Sequence, residues 1–169
     1  MRRSLFASLP KLELPDGLTL RTFVPGQDEQ AWLELNAQIF HEHPDQGSWT
    51  LRDLEIRMSE KWFDTRGFFL AINDAGAVVG FHWTKVHGGH RHENHHHPEI
   101  GEAYVLGVRK DYQGTGLGKA LTIKGLEYLR EQGVPSAMLY VEANNARAIR
   151  LYESVGFAHW DTDIMFKQQ

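Results

Sequence analysis

The sequence predicts an α/β domain of the α+β type: a mixed, mostly antiparallel sheet with helices on both faces. Three observations point there. Strand patterns crowd the middle of the chain, from Phe68 to Val108, and a hairpin turn joins two of them. The last of these strands runs through a glycine-rich loop into a strongly striped helix. The chain has 169 residues, 41% hydrophobic and 24% charged, which suits one packed domain.

Taken in order, residues 1–17 read as a tail or linker punctuated by Pro10, Pro15 and Gly17, and residues 18–169 read as the domain. Leu18 to Val24 alternates as a first strand, and Pro25-Gly26 ends it. Gln27 to Phe40 carries Trp32, Leu35 and Ile39 at helical spacing. Thr50 and Asp53 resemble a capping box ahead of a second helical stripe, Leu51, Leu54, Met58 and Trp62. Phe68 to Ile72 and Ala77 to Val86 read as strands joined by the turn Asn73 to Gly76. After a histidine-rich loop, Ile100 to Val108 is a strong strand. Leu117, Ala120, Leu121, Gly125, Tyr128 and Leu129 stripe a helix that ends near Gly133-Val134-Pro135. Ala137 to Val141 reads as a short strand buried on both faces. Ala148, Leu151, Tyr152 and Val155 stripe a last helix with Gly156 at its C-cap, and Phe157 to Phe166 reads as one more strand. The predicted order is β-α-α-β-β-β-α-β-α-β, with no internal repeat.

Composition excludes several function classes. A formal charge of −4 offers no basic field for nucleic acid. No apolar run reaches the roughly 18–20 residues that cross a bilayer, and Met1 to Pro10 makes a poor signal peptide, so a cytoplasmic protein without membrane attachment is expected. The absence of cysteine removes disulfides, thiolate metal sites and a cysteine nucleophile.

The segment Gln113-Gly114-Thr115-Gly116-Leu117-Gly118-Lys119 opens the striped helix directly after a strand. Glycines there let backbone N–H groups approach a ligand, and the helix N-terminus adds free donors and partial positive charge. A pyrophosphate is the natural occupant. The nucleotide pattern G-x-x-x-x-G-K-S/T fails, because Gln113 stands five before Gly118 and Ala120 follows Lys119. The dinucleotide pattern G-x-G-x-x-G fails at Lys119. What remains is Q-x-x-G-x-G, or a glycine-rich turn without a ligand.

That pattern, together with Asn144-Asn145-x-x-Ala148-x-x-x-Tyr152-x-x-x-Gly156-Phe157, resembles the GNAT superfamily of N-acetyltransferases. A narrower resemblance is to the C-terminal acetyltransferase domain of the mycothiol synthase family. It runs through His43 to Gly47, Gly80 to His87, Gly101 to Val108 and Leu139 to Asn145. The resemblance implies the GNAT fold, acetyl-CoA as co-substrate, no required metal, and a small-molecule amine as acceptor. In that family the acceptor is the cysteinyl amine of a cysteine–glucosamine–inositol conjugate; the alternatives are an acetyltransferase for another small amine or a peptide N-terminus, and a non-catalytic acyl-CoA-binding module. The family carries two tandem acetyltransferase domains and the chain matches the second, which implies an N-terminal partner domain. Met1 to Leu5 resembles the segment between the two.

The residues fit the chemistry that the resemblance implies. Acetyl transfer needs a neutral amine, a polarised thioester carbonyl and a protonated leaving thiolate. Glu102, on the strand leading to the loop, is the expected base and a substrate contact, acting directly or through water; the alternative is an exposed strand glutamate. By resemblance, Leu106, Gly107 and Val108 offer backbone groups to the pantetheine arm, with Gly107 permitting a local distortion. By resemblance also, Tyr152 protonates the thiolate; its place in the apolar stripe leaves a packing role open. Asn145, on nearly the same helix face, and its neighbours through Arg150 match the second CoA-contact segment. Asp45, Lys85 and Tyr140 match positions that hold the sugar-inositol acceptor, although the family favours glutamate where Asp45 stands. His87, His90, His92, His95, His96 and His97 could bind zinc or nickel specifically, bind it adventitiously, or form a solvated loop bordering the acceptor site.

Overall fold

A computed structural model describes residues 1–88, 91–92, 95–96 and 99–162. In chain order the elements are β1 (Arg2–Ser4), β2 (Leu18–Thr22), α1 (Glu29–Ile39), α2 (Pro44–Gly47), α3 (Leu51–Met58), β3 (Phe68–Asn73) and β4 (Val78–His87). There follow β5 (Arg91–His92), β6 (His95–His96), β7 (Ile100–Val108), α4 (Leu117–Glu131), β8 (Ser136–Met138) and α5 (Ala146–Ser154). The main sheet has the order β1-β8-β7-β4-β3-β2. Every pairing in it is antiparallel except β7 with β8, which is parallel. This is the mixed, mostly antiparallel sheet that the strand pattern predicts. No described helix is long and apolar enough to cross a membrane.

Helices cover both faces because both faces are apolar. On one, Trp32 and Leu35 of α1 and Leu54 of α3 bury against Phe68, Leu70, Phe81 and Trp83. Trp83 stacks on Phe68 at 4.5 Å between centroids, and Trp32 meets Phe68, Phe81 and Trp83 edge-on at 5.9, 5.3 and 5.7 Å. On the other, α4 buries Leu117, Ala120, Leu121, Gly125, Tyr128 and Leu129, the stripe seen in the sequence, and Ile123 and Leu126 in addition. The capping box at α3 is present in full: Thr50 Oγ1 accepts from Asp53 N–H, and the Asp53 carboxylate accepts from Thr50 N–H. At α1, the Asp28 carboxylate accepts two bonds from Arg21, at 2.6 and 2.8 Å, and one from Val24 N–H.

Three expectations change. Residues 1–17, read as a tail or linker, contain sheet strand β1, and Leu5 is buried in the core. Arg3 is buried as well; its guanidinium donates to the carbonyls of Val155, Ala7 and Ser8. The strand read over Ala137 to Val141 is Ser136–Met138, and Tyr140 beyond it is 70% exposed. Of the strand read over Phe157 to Phe166, a single antiparallel bridge joins Ala158 to Arg2, and residues 163–166 lie outside the described residues. His90 and His97 of the histidine-rich stretch also lie outside them, while β5 and β6 pair as a two-stranded ribbon.

One polar residue explains a glycine in mid-helix. His82 of β4 is fully buried beneath α4, and its Nδ1 donates to Leu121 O at 2.7 Å. A Cβ on Gly125 would collide with the imidazole. Burial pushes the His82 pKa down from 6.5 to about 4, with the bond to Leu121 opposing the shift. Below pH 6.5 the unfolded chain therefore binds a proton that the native state refuses. The stability tied to this residue is complete above pH 6.5 and is lost as pH falls towards 4. The shift corresponds to about 3 kcal/mol. Urea unfolding of the parent and of His82→Asn between pH 4 and 7 should show a steeper acid loss in the parent; parallel curves would refute the assignment.

Candidate active site

The site begins with a break in the register of β7. Trp83 pairs with Val105, but the next residue, Thr84, pairs with Ala103, so Tyr104 is an extra residue in a β-bulge. The bulge puts two consecutive side chains on one face. Tyr104 and Val105 both pack with Trp83 and Phe68 on the α1–α3 side, while Ala103 and Leu106 pack in the clusters beneath α4. On its other edge β7 pairs with β8 only at Gly101 and Glu102. From Ala103 to Val108 that edge has no strand partner among the described residues, and a gap opens between β7 and the segment after β8.

Glu102 stands where the gap starts. It is 7% exposed, which rules out the exposed strand glutamate. It lies opposite Lys85 in the β4–β7 register, and its Oε2 pairs with Nε2 of His87, two residues further along β4. The Lys85 ammonium turns instead to aromatic faces, 4.7 Å from the Trp62 centroid and 5.3 Å from that of Tyr104. Arg57 of α3 donates to the Tyr104 hydroxyl at 3.2 Å, tying the helix to the bulge. Arg57, Trp62, Lys85, His87, Glu99 and Tyr104 contribute to the wall of a cavity of about 1020 Å³. This end of the sheet thus combines a buried carboxylate, cationic donors and an aromatic wall.

The opposite end of the gap is the glycine loop. Gly114 and Gly116 take φ of +78° and +94°, which the predicted glycines permit. Gly116 is the N-cap of α4 and has no side chain to cap it; Leu117 N–H donates to Thr115 Oγ1 at 3.4 Å, and the next first-turn N–H groups have no side-chain partner among the described residues. Gln113 clamps the loop: its Nε2 donates to Val108 O at 3.2 Å, and its Oε1 accepts from Arg147 of α5 at 3.3 Å. A Cβ on Gly118 would lie 3.3 Å from Leu151, so α4 and α5 nearly touch there. Thr115 Oγ1 donates to Tyr112 O at 2.5 Å. Lys119 and Arg150 are exposed. Leu117 is buried in the core and offers the loop only its backbone. Leu106 and Val108 likewise pack inward beneath α4.

Two positions differ from expectation. Gly107 is not distorted: it pairs regularly with Phe81, and a Cβ would sit 2.9 Å from the Phe81 ring and 3.0 Å from Ile39. Close packing requires this glycine, and the distortion falls at Tyr104. Asn145 is the N-cap of α5 rather than a residue of its face, its Oδ1 accepting from Ala148 N–H at 3.1 Å. Tyr152 packs edge-on to Phe157 at 6.1 Å, and burial pushes its pKa up to about 12. Its phenol therefore keeps its proton throughout the neutral range.

Asp45 and Tyr140 are exposed. Asp45 rides on α2, which α1 holds through an amide pair: buried Asn36 donates to Gln46 O at 2.7 Å, and Gln46 Nε2 donates to Asn36 Oδ1 at 2.9 Å. His43, just before α2, lies 3.6 Å from the Glu142 carboxylate, so the segments carrying Asp45 and Tyr140 approach each other. The structure therefore sets Glu102 opposite Lys85 in the strand register and brings the exposed segments carrying Asp45 and Tyr140 together as an outer rim on the surface. Tyr104, Trp62 and Arg57 went unnoticed as site residues in the sequence, while Arg147 falls inside the expected CoA-contact segment from Asn145 to Arg150 and His87 heads the histidine-rich stretch expected to border the acceptor site or bind metal.

Comparison with known proteins agrees with this geometry. Residues 29–157 match the model of the Acetyltransferase (GNAT) family. The chain is 58% identical to a protein of Acidothermus cellulolyticus named mycothiol acetyltransferase, over 99% of this chain and 53% of that protein. It is 56% identical to one of the same name from Thermobispora bispora, over 99% of this chain and 56% of that one. The chain thus spans about half the length of these curated relatives. Among solved structures, a GCN5-related N-acetyltransferase from Sphaerobacter thermophilus superposes with a TM-score of 0.69 at 28% identity, covering 92% of this chain and 45% of that one. The chain belongs to the GNAT acetyltransferase family.

The amide pair beneath the outer rim is testable. Asn36→Ala leaves the Gln46 carbonyl and amide without their partner, and unfolding free energy should fall by about 1–3 kcal/mol. An unchanged urea midpoint would show that α2 is held by other contacts.

Proposed function

We propose that this GNAT domain transfers acetyl from acetyl-CoA to the amine of a small polyhydroxylated molecule, the cysteinyl amine of a cysteine–glucosamine–inositol conjugate. The observation that carries this reading is the position of Glu102. It is a buried carboxylate at the head of the gap between β7 and β8, beside a cavity lined by cationic donors and aromatic rings. The acceptor's identity is supported by the names of the relatives and by the family resemblance at Lys85, Tyr140 and Asp45.

The residues at the far end fit a pyrophosphate: uncapped first-turn donors of α4, two positive-φ glycines, and Arg147 within 3.4 Å of where a Cβ would stand on Gly114. The free edge of Leu106 to Val108 fits an extended amide-bearing arm, which would hydrogen-bond it as a strand does. Acetyl-CoA brings the activated thioester; the chain does the rest. Glu102 takes a proton from the acceptor amine, leaving a lone pair on nitrogen to form the new C–N bond. As the C–S bond breaks, Tyr152, a phenol that carries its proton at neutral pH, gives that proton to the sulfur. Lys85, Tyr140 and Asp45 hold the acceptor's hydroxyl and ammonium groups. The proposed partners are the small-molecule amine and the N-terminal half that the longer relatives possess; the proposed setting is the cytoplasm.

Glu102→Gln should lower kcat by about 10²–10⁴-fold with the KM for acetyl-CoA nearly unchanged; retained turnover removes Glu102 as the base. Tyr152→Phe should lower kcat by about tenfold or more without loss of stability; parental turnover would assign Tyr152 to packing alone. Acetyl-CoA consumption with the conjugate should exceed that with a panel of simple amines and peptide N-termini; no preference would overturn the acceptor assignment.

A further inference from the structure

Glu102 is a buried carboxylate with an unusual choice of partner. Lys85 lies directly opposite it, yet the lysine ammonium rests on Trp62 and Tyr104 and makes no ion pair with Glu102 among the described residues. Among the described residues the one donor on the carboxylate is His87 Nε2, bound to Oε2, and none reaches Oε1. The His87 side chain is 38% exposed and lines the cavity that Glu102 itself does not reach. An ammonium in that place would put a full charge on the carboxylate and weaken it as a base. The His87 imidazole instead donates from a single ring N–H on a short side chain anchored in β4, so it fixes one carboxylate oxygen and leaves the other to an incoming group.

We propose that His87 is the positioning residue of the transfer: its Nε2 fixes Oε2 of Glu102 and leaves Oε1 to accept the proton of the acceptor amine. This rests on Glu102 as the base. The strand geometry makes the arrangement possible. His87 and Lys85 project from the same face of β4, and the bulge at Tyr104 sets the register that brings Glu102 opposite one and diagonal to the other. Tyr104 in turn forms part of the platform that keeps the Lys85 ammonium away.

The test compares His87→Ala, His87→Gln and Glu102→Gln in steady-state acetyl transfer to the best acceptor of the panel, with thermal melting of each variant. His87→Ala should lower kcat by about 10²-fold, the cost of a misplaced catalytic group, with the acetyl-CoA KM and melting temperature close to parental. His87→Gln, whose amide can donate to Oε2, should recover most of that loss. Parental kcat in His87→Ala, or a glutamine variant as impaired as the alanine one, overturns the proposal. If Glu102→Gln turns over normally, the reading of Glu102 fails instead. A readout independent of turnover is the ¹⁵N resonance pair of the His87 ring: it should report a hydrogen-bonded Nε2–H that changes in Glu102→Gln, and an unchanged pair overturns the contact.

Discussion

The site depends on one constraint: β7 has two neighbours running in different directions and fits both only over part of its length. Its antiparallel bond with β4 extends from one end to the other, but at the cost of an extra residue at Tyr104. Its parallel bond with β8 ends after Gly101 and Glu102. Parallel ladders are slightly weaker per residue, and a bulge bends the strand that carries it. The result is a sheet that is continuous at the Glu102 end and divided at the end where α4 begins. The buried carboxylate of Glu102, the free strand edge and the start of α4 follow the two sides of that division in order.

Around this opening the scaffold is rigid where position matters. Trp83 lies beside the bulge and is held by Phe68 from one side and by Trp32, Trp62 and Tyr104 at its edges. Large aromatics fill that layer with few rotatable bonds, so little slack remains to move Tyr104 or the lysine above it. The more exposed parts, α2 and the segment after β8, are held by polar contacts: the Asn36–Gln46 amide pair and the approach of His43 to Glu142. The aromatic layer thus forms a firm floor, and the exposed segments around it are tied mainly by polar contacts.

What could be read in the sequence was local. The α4 stripe, the capping box at Thr50, the hairpin turn at Asn73 and the glycine loop each rest on spacings within one or two turns of chain. What escaped was set by partners far away. Strand β1 pairs with β8, more than 130 residues on, and no pattern within Arg2–Ser4 announces a sheet edge. The proximity of His87 and Glu102 depends on a register that a one-residue bulge shifts, and the bulge leaves no mark in composition. Gly107 was legible as a glycine with a purpose, but its purpose lies in the ring of Phe81 and the tip of Ile39. Asn145 looked like a helical residue because its spacing to Tyr152 fits two turns; as the cap it sits one step outside them.

The gap also has a consequence for association between molecules. An ordinary open sheet has two rims; this one has interior rims as well, where β7 and the chain after β8 part company. Unsatisfied N–H and C=O groups along such a rim are a template on which any extended chain can add itself, including one from another copy. One feature guards against it: the bulge at Tyr104 breaks the regular repeat that a foreign strand would have to match. The irregularity that shapes this edge thereby also discriminates against polymerisation.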